Sequence, residues 1–245
     1  MIDLHAHILP NLDDGPRGWD ESLEMCRMAF NDGIRTIVAT PHTLNGVYRN
    51  NTAQIKEQSL RLQELLDKNN ISLNIIPGSD VRIYPALTSL IEKGEALTVN
   101  DNKRYIILEL PDLFPLPAVK QLILDLIGQE ITPVISHPER VSQIQQDSAV
   151  IYELLEKGAL SQVTAMSVTG EFGKGVKGFV EKMLKYDMVH IIATDCHDVI
   201  RRPPILSGAV EMAARIVGRE KALAMVTTIP QAVVEGKTVE IRVIK

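Results

Sequence analysis

Seven short apolar runs, rich in β-branched residues, recur along the chain. They cover residues 2–4, 36–40, 73–76, 105–110, 132–136, 162–166 and 190–194. Strands of a parallel sheet are covered on both faces, so they are typically apolar throughout. Each run therefore predicts a buried parallel strand.

Segments with the periodicity of amphipathic helices separate these runs. They cover residues 20–31, 53–68, 116–128, 149–157, 177–186 and 205–217. Strands that alternate with helices predict a parallel sheet with right-handed crossovers. No linker or low-complexity tract divides the chain, so we expect one domain over residues 1–245.

Seven βα units on a chain of this length predict an α/β fold, a (β/α)7 barrel of TIM type with one unit missing or distorted. An open, doubly wound sheet is the alternative. The glycine-rich nucleotide-binding fingerprints that accompany that alternative are absent.

Composition and charge exclude several function classes. The 26 basic residues are outnumbered by 31 acidic ones, which disfavours nucleic acid as the main partner. The N-terminus lacks the features of a signal peptide, and no apolar run approaches the roughly 18 residues of a membrane span. The two cysteines, Cys26 and Cys196, form no disulfide framework. We therefore expect a soluble, cytoplasmic protein that does not insert into membranes.

Five of the six histidines follow the ends of predicted strands. They are His5, His7, His42, His137 and His197, whereas His190 stands at the start of the seventh strand. A lone histidine, or a lone His-x-His, is most often structural. The active site of a barrel forms where the carboxyl ends of its strands meet, so the joint pattern predicts a site there.

Acidic residues share this placement: Asp14, Asp80 and Asp195 follow strands, and Glu109 lies inside an apolar one. Burial of Glu109 would be costly without a metal ion or an arginine. Imidazole and carboxylate ligands without thiolate suit Zn, Mn or Fe. Nine such ligands suggest two or three ions, and metal clusters of this kind hydrolyse phosphate esters.

The motifs around these residues resemble the PHP (polymerase and histidinol phosphatase) family over nearly the whole chain and in the same order. They cover residues 5–10 with 13–15, 39–42, 136–140, 194–197 and 202–204. The resemblance is closest to the bacterial capsule-type branch, the metal-dependent protein-tyrosine phosphatases, which residues 168–173 also resemble.

The resemblance implies a distorted (β/α)7 barrel with a trinuclear site, usually of manganese, with Fe, Zn, Co or Mg as alternatives. It implies three ligand sets, which are His5 with His7 and Asp195, Glu109 with His137, and Asp14 with His42 and His197. Asp80 would bridge the first two sets. It stands where the family typically has the longer glutamate, so we expect weaker occupancy there. Arg140 and Arg202 match the arginines that clamp the phosphate.

The implied reaction is hydrolysis of a phosphomonoester by a metal-activated hydroxide, without a cysteine nucleophile. Cys26 is expected in the core, and side-chain alternation is expected to turn Cys196 away from the metals. Neither cysteine belongs to a Cys-x5-Arg phosphate loop.

The expected substrate is a phosphotyrosine protein, namely the tail of a tyrosine kinase of capsule or exopolysaccharide biosynthesis. Residues 241–245 contain no tyrosine, so such a tail would belong to another protein, and a homo-oligomer is plausible. The alternatives are a phosphatase of histidinol phosphate or a nucleotide, a non-catalytic regulator of polysaccharide assembly, and a polymerase proofreading module, which the acidic balance disfavours. A shallow site would favour phosphotyrosine, and a deep pocket a metabolite.

Overall fold

The computed structural model describes residues 1–240, so the C-terminal residues 241–245 lie outside the described part of the chain. The strands are β1 (Ile2–Ala6), β2 (Thr36–Ala39), β3 (His42–Thr43), β4 (Asn74–Pro77), β5 (Asp80–Arg82), β6 (Tyr105–Glu109), β7 (Thr132–Ser136), β8 (Leu160–Thr164) and β9 (Ile191–Ala193). The α-helices are α1 (Trp19–Asn31), α2 (Thr52–Lys68), α3 (Leu87–Glu92), α4 (Leu116–Gly128), α5 (Ser142–Gln146), α6 (Ala149–Glu156), α7 (Ala165–Thr169), α8 (Lys174–Lys185), α9 (Ser207–Val217), α10 (Arg219–Ala224) and α11 (Thr228–Val234).

The strands form a closed barrel in which every pair is parallel. One sheet has the order β1-β2-β4 and the other β3-β5-β6-β7-β8-β9. β3 continues β2 after residues 40–41, beyond the predicted strand 36–40, and β5 continues β4 after residues 78–79, beyond the predicted strand 73–76. Beyond β9 the chain pairs with β1, because the Asp195 N–H donates to the His5 carbonyl (2.8 Å) and the His7 N–H to the Cys196 carbonyl (2.9 Å). The seven-unit barrel is confirmed, and the open sheet is excluded.

The strands direct apolar side chains inward near their starts and polar side chains inward at their ends. Ile107, Val134 and Leu160 lie together in one buried cluster inside the barrel. Two positions after each of them come Glu109, Ser136 and Gln162, which point to the same face because side chains alternate along a strand. A packed apolar layer therefore supports a polar layer at the carboxyl ends.

Several predicted boundaries were wrong. β8 covers residues 160–164 rather than 162–166, because Ala165 already begins α7. α8 begins at Lys174, three residues before the predicted start. α2 begins at Thr52, where the Asn51 side chain accepts a hydrogen bond from the Gln54 N–H (2.9 Å) as an N-cap.

Five helices were not predicted at all: α3, α5, α7, α10 and α11. Each has seven residues or fewer, too short for the apolar periodicity to register. No helix among residues 1–240 has the length and apolar character needed to cross a membrane.

His190 lies just before β9, far from the mouth of the barrel, as its sequence position predicts. Its Nδ1 accepts a hydrogen bond from the Ser161 N–H (3.1 Å). Burial lowers the pKa of His190 to about 4, and the Lys221 ammonium contributes, against the opposing effect of Asp187. The folded protein therefore keeps His190 neutral where the unfolded chain takes up a proton.

Between pH 6.5 and pH 4 this difference makes the folded state less stable as the pH falls, by up to about 3 kcal/mol. His190→Asn keeps a hydrogen-bond acceptor but removes the titrating group. We expect urea unfolding of the variant to lose less stability over this range than the wild type. Parallel curves for the two proteins would contradict this assignment.

Candidate metal centre

The five histidines predicted for the site meet at the carboxyl ends of the strands. The ring centroid of His7 lies 3.9 Å from that of His197, 4.6 Å from that of His42 and 5.2 Å from that of His5. His137 joins them with its centroid 5.7 Å from that of His5. The rings come from four different strand ends, so only the closed barrel brings them together.

Three of these histidines are oriented by oxygen acceptors on Nδ1. His5 Nδ1 lies 2.8 Å from Gln162 Oε1, His7 Nδ1 lies 2.6 Å from Asp13 Oδ2, and His197 Nδ1 lies 2.9 Å from the Asp195 carbonyl. Because each Nδ1 must donate to its oxygen, each Nε2 of a neutral ring carries a lone pair. This is the arrangement found around metal-bound imidazoles.

The Nε2 atoms of His5 and His7 lie only 3.1 Å apart. Two lone pairs at this distance repel each other unless a cation or proton lies between them. Burial lowers the pKa of His7, but the Asp13 and Asp195 carboxylates outweigh this effect and raise the pKa to about 10. The same electrostatic field that retains a proton on His7 attracts a divalent cation, whose binding releases that proton.

A second set of donors is buried without hydrogen-bond partners. His42 Nδ1, Asp80 Oδ2 and Glu109 Oε2 all lack one, although Arg82 Nη1 forms an ion pair with that Glu109 oxygen at 3.1 Å. The 3.1 Å contact between His42 Nδ1 and Asp80 Oδ2 does not have hydrogen-bond geometry. Donor atoms of these three residues lie within 4.8 Å of one another. Orphaned buried polar groups are costly, and one shared ion would satisfy all three.

The donors fit more than one ion. Besides the set of His42, Asp80 and Glu109, the structure groups donor atoms of His5, His7 and Asp80, and of His7, Asp14, His42 and His197. Asp80 belongs to two of these groups, as expected for a bridging residue. The division differs from the implied ligand sets, because His7 reaches two groups while His137 and Asp195 fall outside all three.

Asp195 links the histidines to the two predicted arginines. Its Oδ1 lies 3.5 Å from His5 Nε2 and 3.4 Å from His7 Nε2. Its Oδ2 accepts hydrogen bonds from Arg140 Nη1 (2.5 Å) and from Arg202 Nη2. The guanidinium groups therefore converge beside the metal donors and are not ordinary surface ion pairs.

Charge and backbone strain both mark this part of the site. Burial alone would raise the pKa of Asp195, but the neighbouring His5, His7 and Arg202 hold it well below its ordinary value. Burial and the nearby Arg140 lower the pKa of His137 to about 3, so its ring is neutral and able to bind a metal. Asp195 and His137 have φ angles of 52° and 35°, a left-handed conformation that is uncommon for non-glycine residues.

Asp13 supports the site by hydrogen bonds to residues around it. Its Oδ2 accepts from the His42 N–H (3.0 Å) as well as contacting His7, and its Oδ1 accepts from the Gly15 N–H (3.0 Å). A side chain at Gly15 would clash, since a Cβ there would lie 2.7 Å from the His7 carbonyl oxygen. The tight turn at residues 13–15 therefore places Asp14 beside His197 (3.4 Å).

Three residues around the site were missed by sequence reasoning. Asp3 accepts from the Thr194 N–H (2.9 Å), Gln162 holds His5, and Arg82 lies 3.1 Å from Glu109. The register of β1 is irregular between Asp3 and Ala6, so the spacing of Asp3 from His5 and His7 did not reveal its place beside the site. Arg82 is thus an arginine partner that offsets the burial of the Glu109 carboxylate, although the Arg82 side chain is 35% exposed.

Comparison with known proteins assigns the chain to a family. A family model described as capsular polysaccharide synthesis, CpsB/CapC, matches residues 1–235. The chain belongs to the CpsB/CapC family. It is 43% identical over 203 residues to the tyrosine-protein phosphatase YwqE of Bacillus subtilis (strain 168), covering 82% of this chain and 79% of YwqE. It is 30% identical over 241 residues to the tyrosine-protein phosphatase CpsB of Streptococcus pneumoniae, covering 96% of this chain and 98% of CpsB.

The fold agrees with this family. One of the crystal structures of YwqE from Bacillus subtilis and CpsB from Streptococcus pneumoniae matches this chain with a TM-score of 0.94. Those two proteins are described as unique metal-dependent tyrosine phosphatases. The identity is 38%, over 99% of this chain and 97% of that chain. Histidinol phosphate phosphatase from Lactococcus lactis shares the fold at 13% identity and a TM-score of 0.57, over 90% of this chain and 93% of that chain.

Both cysteines of this CpsB/CapC chain lie in the apolar core. Cys26 and Cys196 are fully buried within the same hydrophobic cluster. Burial raises the pKa of the Cys26 thiol to about 12 and holds that of Cys196 well above its ordinary value. A buried, protonated thiol is a poor nucleophile, so the cysteines are inert although Cys196 follows Asp195 directly.

Ser136 orients the carboxylate of Asp80, whose side chain is shorter than the glutamate typical of the family at this position. Its hydroxyl donates to Asp80 Oδ1 (3.1 Å), which leaves Oδ2 to face His5 and His42. A carboxylate with one oxygen engaged in this way offers one free oxygen to the ions it would bridge. The weaker occupancy expected at Asp80 stays a prediction.

Loss of the Ser136 hydroxyl should weaken the binding of divalent metal ions, with Mn²⁺ as the ion titrated. We expect Ser136→Ala to lower the affinity of the weakest site by roughly 10- to 100-fold in titration calorimetry, as for other residues that orient metal ligands. Ser79→Ala is the matched control, because the buried Ser79 hydroxyl donates to the Leu97 carbonyl (2.7 Å) and not to Asp80. Equal effects of the two substitutions would show that Ser136 does not act through Asp80.

Proposed function

We propose that this chain is a metal-dependent protein-tyrosine phosphatase of capsule or exopolysaccharide biosynthesis. The observation that carries the proposal is the convergence of Arg140 and Arg202 on Asp195, directly beside a cluster of metal donors. The arginine side chains are 31% and 23% exposed and the Asp14 side chain is 52% exposed, so the site opens to the surface. An open site suits a phosphotyrosine on a polypeptide. The tyrosine phosphatases YwqE and CpsB support the same reading.

The proposed ligands are His5, His7, Asp14, His42, Asp80, Glu109, His137, Asp195 and His197. Imidazoles and carboxylates without a thiolate fit two or three divalent ions, and manganese is the ion we propose, with Fe, Zn, Co or Mg as alternatives. Such ions polarise a phosphoryl group and activate water at neutral pH when they are bound.

Arg140 and Arg202 bind the phosphate oxygens in the proposed reaction. In this structure both guanidinium groups rest on one oxygen of Asp195, so their donors already point to one place. Transfer of these donors to the phosphate holds the phosphorus atom for in-line attack by water. A bond from the water oxygen to phosphorus forms while the phosphorus–tyrosyl oxygen bond breaks. The products are tyrosine and inorganic phosphate, and no covalent phosphoenzyme is needed.

The setting of this activity is also part of the proposal. The chain would act as a single domain in the cytoplasm, on the phosphorylated tail of a bacterial tyrosine kinase, with a homo-oligomer as a compatible assembly. Nucleic acid is not among the proposed partners, since acidic residues outnumber basic ones.

A substrate panel tests the proposed function. A phosphotyrosyl peptide, a phosphoseryl peptide of the same sequence and histidinol phosphate would be compared with Mn²⁺ added. We expect the highest kcat/KM for the phosphotyrosyl peptide, because the open site accepts an aryl phosphate carried on a chain. A higher kcat/KM for histidinol phosphate would favour the small-molecule phosphatase instead.

A further inference from the structure

An apolar groove lies beside the candidate site, on the side of β5 and β6. It has a volume of about 420 Å³. Its walls come from the segment that follows β5 and from the first three turns of α4, and they include Ile83, Tyr84, Ala118, Val119 and Leu122. The polar groups at one end, Gln121 and Asp125, hydrogen-bond to each other (2.8 Å). The groove therefore offers apolar surface and has no basic side chain in its lining.

The groove is continuous with the candidate site through β5. Asp80 begins this strand inside the donor cluster, Arg82 pairs with Glu109, and Ile83 and Tyr84 line the groove. The Ile83 N–H donates to the Glu109 carbonyl (3.0 Å), which fixes the groove wall to a proposed ligand residue. At about 3.3 Å per residue, Tyr84 is at most ~13 Å from Asp80 along the chain.

Exposed apolar residues extend the surface around the mouth. Among residues 1–240 the large hydrophobic side chains with the highest exposed fractions are Ile200 (85%), Val47 (75%) and Leu113 (73%). All three lie in loops that follow strands. Val47 and Leu113 follow β3 and β6, the two neighbours of β5 in the sheet, so they stand on the same side of the mouth as Tyr84.

We propose that this groove binds an apolar side chain of the phosphotyrosyl polypeptide, at a residue within about four positions of the phosphotyrosine. This inference rests on the proposed function and specifies its substrate. An extended peptide advances about 3.3–3.6 Å per residue, so a chain whose phosphate lies at the donor cluster reaches the groove within that number of residues. A small phosphate ester would end before the groove. The absence of basic groups in the lining favours leucine, isoleucine or phenylalanine over an acidic residue.

The test compares two phosphotyrosyl peptides that differ only in the flanking residues, which are leucine in one and serine in the other. We expect the wild type to favour the leucine peptide by about tenfold in kcat/KM, as burial of one apolar side chain allows. Ala118→Asp places a charge in the groove and should reduce this ratio to about one. Ala118 is solvent-exposed, so the substitution is compatible with folding.

Leu124→Asp is the matched control, because Leu124 is an exposed apolar residue of α4 that does not line the groove. It should keep the wild-type ratio. Three results would overturn the assignment of the groove to the substrate. They are an equal kcat/KM for both peptides in the wild type, an unchanged ratio in Ala118→Asp, and an equal loss of the ratio in both variants. A dimer of the wild type that dissociates in Ala118→Asp would overturn it as well, because it would assign the groove to contacts between copies of the chain.

Turnover of p-nitrophenyl phosphate separates this proposal from the proposed function. If the enzyme hydrolyses it and both peptides without preference, only the groove assignment fails. If it hydrolyses none of the three with Mn²⁺ present, the proposed function fails, and the assignment of the groove to substrate fails with it.

Discussion

Replacing Asp195 with asparagine is expected to lower kcat/KM for a phosphotyrosyl peptide by about 10³-fold, since breaking a buried ion pair costs several kcal/mol. Asparagine has the same shape but carries no charge. Both arginines lose their shared anionic partner on Oδ2, and the histidines lose the carboxylate oxygen 3.4–3.5 Å from their Nε2 atoms. The variant should also retain less metal after dialysis, as measured by elemental analysis.

Cys196→Ser is the control for this prediction. Cys196 is the next residue in the chain and is equally buried, but its thiol lies in the apolar core. This variant should keep most of the activity and its metal. An Asp195→Asn enzyme within tenfold of the wild type, or a Cys196→Ser enzyme that is inactive with its metals intact, would contradict the assigned roles.

Replacing Arg202 with lysine is expected to lower kcat/KM by roughly 10- to 100-fold, although the positive charge is kept. A guanidinium presents several donors in a rigid planar fork and can donate to Asp195 and His197 from two nitrogens at once, whereas an ammonium carries its three donors on one compact nitrogen and does not reproduce this spacing. Arg202 does so here, with Nη2 on Asp195 and Nη1 3.1 Å from His197 Nε2. Inhibition by inorganic phosphate should weaken in parallel.

Arg201→Lys is the matched control, because the exposed Arg201 side chain adjoins Arg202 but makes no contact with Asp195. We expect wild-type kinetics from it. Arg140→Lys should behave like Arg202→Lys, and the effects of the two substitutions should not add, because both residues share one carboxylate. Strict additivity, or equal losses in Arg201→Lys and Arg202→Lys, would show that the two guanidinium groups do not act together.

The seven strands and the polar residues at their ends could be predicted from the sequence, because apolar runs and strand direction are local properties. The carboxyl ends of parallel strands share one edge, so the meeting of His5, His42 and His197 followed from their positions alone. The closure of the barrel could not be predicted from the sequence, because no local pattern signals it. It rests on the pairing of β1 with residues 195–196, about 190 positions later.

The partners of the site residues could not be predicted, because they depend on register between distant strands. Arg82 lies opposite Glu109 only in the observed register of β5 and β6. Ser136 reaches Asp80 across 56 positions of sequence. The sequence pattern determines the face of a strand on which a side chain lies, but not the residue opposite it. The division of donors among ions likewise depends on side-chain orientation, which is why His7 is found in two groups.

Metal-dependent catalysis at this site is tested most directly by the metal dependence of phosphotyrosine hydrolysis. Enzyme treated with a chelator and dialysed would be titrated with Mn²⁺ while bound metal and phosphotyrosyl-peptide turnover are measured on the same samples. We expect turnover to be lost with the metal and to return in step with bound Mn²⁺, equally in the wild type and in Cys196→Ser. Turnover that persists in metal-free enzyme would contradict it.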